Sequence, residues 1–166
     1  MPPPSTSKVL PINNSAPFTS LNNSFPAIKI SSGLLTNDAL ISEIAKLKKP
    51  LILSTGMAYM KEIKRAVKIL KKQKLKNYVL LKCTSLYPCK PKFVNLNSLK
   101  SLKEKFPKNS IGFSDHTTGI ESCVAAAALG AKVIEKHLTL NKNLKVPDQK
   151  VSCDPAEFKI MVKKIR

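Results

Sequence analysis

From residue 26 onward, short apolar runs alternate with longer amphipathic stretches, and this alternation predicts the fold. The runs cover residues 27–32, 51–55, 78–83, 110–113 and 132–136. Their apolar residues are nearly consecutive, as in strands covered on both faces. Over 37–48, 60–72, 96–105, 120–129 and 155–165 the apolar residues instead recur every three or four positions, which predicts helices. Asn37 and Asp154 stand where N-caps belong, and Pro155 suits a first helical turn. Strand followed by helix, five times over, predicts parallel strands with right-handed crossovers. Residues 1–25 differ: Pro2, Pro3, Pro4, Pro11 and Pro17 lie among Ser and Asn with no sustained apolar period. They read as a disordered or irregular tail ahead of one domain at 26–166.

Periodicity alone allows an open doubly wound sheet or part of a closed barrel. The polar residues help to choose. Ser32, Ser54 with Thr55, Thr84 with Ser85, Ser114 with Asp115 and His116, and Glu135 with His137 all fall at the carboxyl ends of expected strands. In a barrel those ends converge on one mouth, whereas in an open sheet only the strands beside the switch point share a site. Polar ends on all five strands favour an α/β fold of partial TIM (β/α)8 type, about five βα units long.

The chain's 166 residues, 43% of them hydrophobic, suffice for one domain with an ordinary core. No stretch is long and apolar enough to span a membrane, and the amino terminus lacks the apolar segment of a signal peptide, so a cytoplasmic location without membrane association is expected. Cys83, Cys89, Cys123 and Cys153 form no CxxC pair and no close Cys/His cluster, which argues against zinc and a disulfide framework. The net charge of +19 raises nucleic acid as a partner. Its make-up argues against that: Arg65 and Arg166 are the only arginines, while Lys61, Lys64, Lys68, Lys71 and Lys72 fall on the polar face of one helical pattern.

The candidate chemistry gathers at the expected mouth. His116 and His137 follow neighbouring strands, so their imidazoles are placed to share one divalent ion in a site open to substrate, against the plainer reading of one structural and one exposed histidine. Lys29, Ser32, Ser54, Ser85 and Ser114 offer one cation and four hydroxyls, a set suited to a phosphate and carboxylate, although strand-end serines also serve as turns and caps. Asp115 and Glu135 flank the histidines, where carboxylates orient imidazoles or relay protons as catalytic groups; a cap and a lysine partner are their plainer roles.

Five segments, Lys-Ile-Ser-Ser-Gly (29–33), Ser-Thr-Gly-Met (54–57), Cys-Thr-Ser-Leu-Tyr-Pro (83–88), Gly-Phe-Ser-Asp-His-Thr (112–117) and Glu-Lys-His-Leu-Thr (135–139), occur in the order and spacing of sialic acid synthases and their legionaminic and pseudaminic acid relatives. Pro147-Asp148 and then Asp154-Pro155-Ala156-Glu157-Phe158 continue the likeness. The chain thus resembles the carboxyl-terminal part of that family's catalytic barrel, over about residues 25–166. The resemblance implies condensation of phosphoenolpyruvate with an N-acetylated hexosamine to a nine-carbon 2-keto sugar acid. It implies Mn2+ or Mg2+ on His116 and His137, phosphoenolpyruvate on Lys29 and the four serines, and the amino sugar facing Tyr87 and Asp148. Full-length members are homodimers.

Gly33-Leu34 stands where many members carry an acidic residue. Ser85 stands where some sialic acid synthases have asparagine, serine being more usual in the legionaminic and pseudaminic branch, and Val146 replaces a usual glycine. The likeness leaves out the first three strand-helix units and a carboxyl-terminal antifreeze-like domain. A truncated, split or misassembled frame is therefore expected, active only with the missing units. An inactive fragment or interaction module, and a basic nucleic-acid binder, are the alternative readings.

Overall fold

The structure, a computed structural model, describes residues 6–11 and 27–166. Its sheet has six strands in the order β1-β6-β5-β4-β3-β2. Strands β2 (Ile28–Ile30), β3 (Leu51–Ser54), β4 (Tyr78–Cys83), β5 (Ser110–Asp115) and β6 (Val133–Leu138) run parallel in sequence order. Helices α1 (Asp38–Lys46), α2 (Met60–Lys72), α3 (Asn97–Lys105) and α4 (Glu121–Ala128) make the crossovers, and α5 (Pro155–Ile165) follows β6. This is the expected half-barrel of five parallel strands with helices between them. Asn37 caps α1 by accepting the Leu40 N–H at 3.0 Å, and Asp154 caps α5 by accepting that of Glu157 at 2.8 Å.

Strand alternation sends successive side chains to opposite faces, and each face has its own core. Ile30, Leu53, Leu80, Ile111, Phe113 and Ile134 point outward into the larger cluster shared with the helices. Ile52, Val79, Leu81 and Val133 fill the concave interior. The curvature shows in one contact: Lys29 on β2 reaches Glu135 on β6 at 2.7 Å. Those strands are four steps apart in the sheet order, which in a flat sheet would separate them by about 19 Å.

The amino-terminal reading needs a correction. Residues 6–11, read as part of an irregular tail, form β1 (Thr6–Pro11), antiparallel to β6 from Thr6 opposite Leu138 to Pro11 opposite Val133. The run is too short to show a period, and β6 offers it an edge that, among the described residues, is paired only at its carboxyl end, where Leu138 bridges Cys153. Pro11, which has no N–H to give, is tolerated at the end of such an edge strand. The other residues of 1–25 lie outside the described ones. Among the described residues, no helix is long and apolar enough to cross a membrane.

Candidate active site

One parity rule assembles the site. On β5 and β6 the inward positions are Gly112, Ser114 and, just past the strand, His116, together with Val133, Glu135 and His137. On β2, β3 and β4 the corresponding positions are Lys29, Ser54 and Cys83. Gly112 and Val133 lie deeper in the interior, and the polar members of the set lie toward the carboxyl ends of the strands, the end at which a barrel gathers its chemistry.

The two imidazoles stand side by side, their ring centroids 5.6 Å apart. His116 is held on both sides. Its Nδ1 lies 2.7 Å from the Thr84 carbonyl oxygen, which can only accept, so Nδ1 carries the proton and Nε2 the lone pair. That lone pair accepts from the Tyr87 hydroxyl at 2.8 Å, and the tyrosine ring stacks on the imidazole with centroids 4.0 Å apart. Burial pushes the Tyr87 phenol up to about 12, with the nearby Cys83, Asp148 and Glu135 adding to the rise, so the hydroxyl remains a donor. Burial also lowers the pKa of His116 below its usual value, outweighing the Thr84 carbonyl that favours the charged ring. His137 is lowered by burial too, against the opposing pull of Asp148, whose Oδ2 lies 3.7 Å from Nδ1. That buried Nδ1 makes no hydrogen bond among the described residues. Two neutral imidazoles therefore face one opening.

Beside them is an acidic and hydroxylic group. Glu135 Oε1 accepts from Lys29 Nζ and from the Ser114 hydroxyl, each at 2.7 Å. With its proton on Glu135, Ser114 makes only a long 3.4 Å approach to His116 Nε2. Glu135 Oε2 and Ser54 Oγ are buried without a partner among the described residues. Such atoms are costly unless something else satisfies them.

Ser32 and Ser85 meet at Gly56. A Cβ there would lie 2.4 Å from Cys83 Sγ, 2.8 Å from Ser85 Oγ and 3.0 Å from Ser32 Oγ, so any side chain at 56 would have to push these groups aside. The Gly56 N–H donates to Ser32 Oγ at 3.1 Å, and Ser32 Oγ is 3.0 Å from Cys83 Sγ. Cys83 was not foreseen as a mouth residue. Its inward parity, the same as that of Ser114 and Glu135 along their strands, was the available signal.

Asp115 departs from the expectation. It sits inside β5, not beyond it, and alternation turns it away from the histidines onto the helix side. There its Oδ2 pairs with Lys136 at 2.7 Å, both side chains being fully buried. It therefore flanks His116 in sequence without sharing its space. The five lysines assigned to a polar helical face are all exposed on α2. A concavity of about 560 Å3 lies at the opposite end of the strands, lined by Lys71, Lys76, Lys105 and Lys108 among others. Lys71 and Lys105 occupy last turns of helices, where lysine offsets the helix dipole. The clustered polar chemistry is at the other end.

The NeuB family model matches residues 14–166. The chain belongs to the NeuB family. This NeuB-family chain is 50% identical to the N,N'-diacetyllegionaminic acid synthase of Campylobacter jejuni over 140 residues, 83% of the chain and 42% of that enzyme. It is 40% identical to the human N-acetylneuraminate-9-phosphate synthase over 141 residues, 85% of the chain and 39% of that enzyme. It thus spans about two fifths of the length of these curated relatives. The crystal structure of the N-acetylneuraminic acid synthetase of Leptospira borgpetersenii in complex with citrate superposes with a TM-score of 0.81 at 38% identity, covering 84% of the chain and 48% of that protein. The fold and the sialic acid-type relationship expected from the ordered motifs are both met.

Proposed function

We propose that this chain provides the carboxyl-terminal five units of a synthase barrel that condenses phosphoenolpyruvate with an N-acetylated hexosamine, giving a nine-carbon 2-keto sugar acid. The observation that carries this reading is the convergence of Lys29, Ser114, Glu135, His116, His137 and Tyr87 on one concave mouth, within contacts of 2.7 to 5.8 Å. Its support is chemical as well as familial: one ammonium, four hydroxyls, a carboxylate and two neutral imidazoles match an anionic enol phosphate and a polyhydroxylated aldehyde.

A divalent ion such as Mn2+ or Mg2+ finds two nitrogens here: His137 has a buried ring nitrogen without a hydrogen bond among the described residues, and His116 Nε2 carries a lone pair that would turn to the ion once the Tyr87 hydroxyl now donating to it moves aside. Bound there, such an ion would supply Lewis acidity to the sugar's aldehyde oxygen. The chain's own groups do the rest. Lys29, Ser32, Ser54, Ser85 and Ser114 hold the phosphate and carboxylate of phosphoenolpyruvate. Its C3 attacks the aldehyde carbon, the carbonyl π pair goes to the aldehyde oxygen, which takes up a proton to become the new hydroxyl, and water adds to the cationic C2. Glu135, bound to Ser114 and Lys29, takes the proton of that water, and the tetrahedral intermediate expels phosphate. Tyr87 and Asp148 border the sugar. A cytoplasmic location and the homodimer of full-length members belong to the same proposal.

Phosphate release from phosphoenolpyruvate with N-acetylmannosamine and related hexosamines tests it. The chain alone is expected to release little, because five strand ends supply a partial site and groups acting as a unit lose activity disproportionately when separated. Adding the other barrel units should restore manganese-dependent release, and His116→Ala should abolish it. Restored activity indifferent to His116→Ala would overturn the metal role; tight duplex binding at physiological salt with no phosphate release would point to the basic-binder reading.

A further inference from the structure

One residue before each imidazole, on the opposite face of the sheet, lies a charge. Asp115 and Lys136 are direct register partners on β5 and β6. Their side chains meet at 2.7 Å, 1% and 0% exposed. The carboxylate also accepts the Thr117 N–H on Oδ1 and the Thr117 hydroxyl on Oδ2, both at 3.0 Å, and the Cys123 thiol of α4 at 3.3 Å. The ammonium donates as well to the Thr117 carbonyl oxygen. Lys136 thus grips the residues on either side of His116 while standing next to His137.

We propose that Asp115 and Lys136 are positioning residues, a buried pair that locks the register of β5 against β6 and thereby sets where His116 and His137 stand relative to each other. A buried ion pair is a weak source of net stability, because desolvation offsets its attraction, but separating its partners is expensive, and that is how it selects one arrangement over its neighbours. A slip of one residue would place Asp115 beside Glu135 or His137 and turn one of the two strands' side chains to the wrong face. Two buried charges would then lack partners. Held in register, the next residue along each strand is a histidine, and the rings come to 5.6 Å. Asp115 faces the helices, so it acts through His116 and touches no reactant. The geometry stands by itself, and only the consequence for metal affinity rests on the function proposed above.

The chain has two histidines, so nitrogen-15 NMR of the full chain observes this arrangement directly. At a pH where both rings are neutral, His116 should show one tautomer, protonated at Nδ1. In Asp115→Asn/Lys136→Met, which removes both charges at similar volume, its shifts should move toward the tautomer average while circular dichroism stays folded. Manganese affinity, read by electron paramagnetic resonance, should fall about tenfold, the lower range for loss of a group that orients a ligand. Thr117→Val, which cuts one contact to Asp115 and keeps the charges, should move the same signals less; if the double variant does not fold, this variant decides. Unchanged His116 signals in whichever of the two folds would overturn the proposal. Signals that move in a chain whose wild type binds no manganese would uphold the positioning role and remove the metal reading.

Discussion

Each histidine is the product of one parity and one tether. Inward parity, read from strand alternation, accounts for His116 and His137 sharing a space, and this could be anticipated from the motifs. The tether could not, because the Thr84 carbonyl that fixes the His116 tautomer lies 32 positions away and is a backbone atom. The placement of Asp115 was misjudged for a related reason: the expected strand, 110–113, stops two residues short of the actual β5 (Ser110–Asp115), and those two residues decide which face Asp115 takes. The depressed imidazoles carry a pH consequence. Both fall below their ordinary value chiefly through burial, so at acidic pH the unfolded chain binds more protons than the folded one. Stability should be complete above the unfolded histidine value of about 6.5 and decline as pH falls through it. Urea unfolding at about pH 8, 6.5 and 5.5 should give successively lower midpoints, and His116→Gln/His137→Gln should flatten that decline. A wild-type midpoint constant across the range would contradict the burial account.

Helices α2 and α5 begin and end at the residues that hydrophobic spacing indicated, and the others differ from the expected spans by at most two positions at an end. The agreement has a physical source: each helix lays a regular apolar face on the sheet, so its period is written locally. In α5 the start is fixed further by a reciprocal cap, in which Asp154 accepts the Glu157 N–H and Glu157 Oε2 accepts the Asp154 N–H at 3.0 Å, with Pro155 in the first turn. Asp154→Ala should lower the unfolding free energy by about 1 kcal/mol, and Asp154→Asn, which still caps, by much less. Guanidinium denaturation of both variants checks this; equal losses would mean that the cap is not what Asp154 contributes. β1 shows the opposite case, a strand whose formation depends on a partner more than a hundred residues away, for which no local period exists to be read.

For the molecule as a whole, the excess of basic residues sets a repulsive background. With a net charge of +19 and few carboxylates to distribute, exposed pairs such as Lys46–Glu43 and Lys142–Glu157 offset little of it. Raising NaCl from about 20 mM to about 300 mM shortens the Debye length well below the dimensions of the domain. The thermal midpoint should therefore rise by a few degrees, measured by circular dichroism. A fall would mean that favourable exposed pairs outweigh the repulsion. Curvature is the property of the whole that composition hid most completely. The bridge from Lys29 to Glu135 joins residues 106 positions apart, and neither motif taken alone announces the other as its partner.

The placement of β1 has a kinetic side. An edge strand presents one row of donors and acceptors, and that row serves one neighbour at a time. Thr6–Pro11 holds the outer row of β6 in the antiparallel sense. If a barrel closes through β6, the strand that arrives there runs parallel, so the two arrangements exclude each other and one cannot slide into the other. Thr6–Pro11 is then a competitor carried on the same chain, so its local concentration does not fall with dilution. A separate polypeptide offering the closing strand has to outbid a neighbour that never diffuses away.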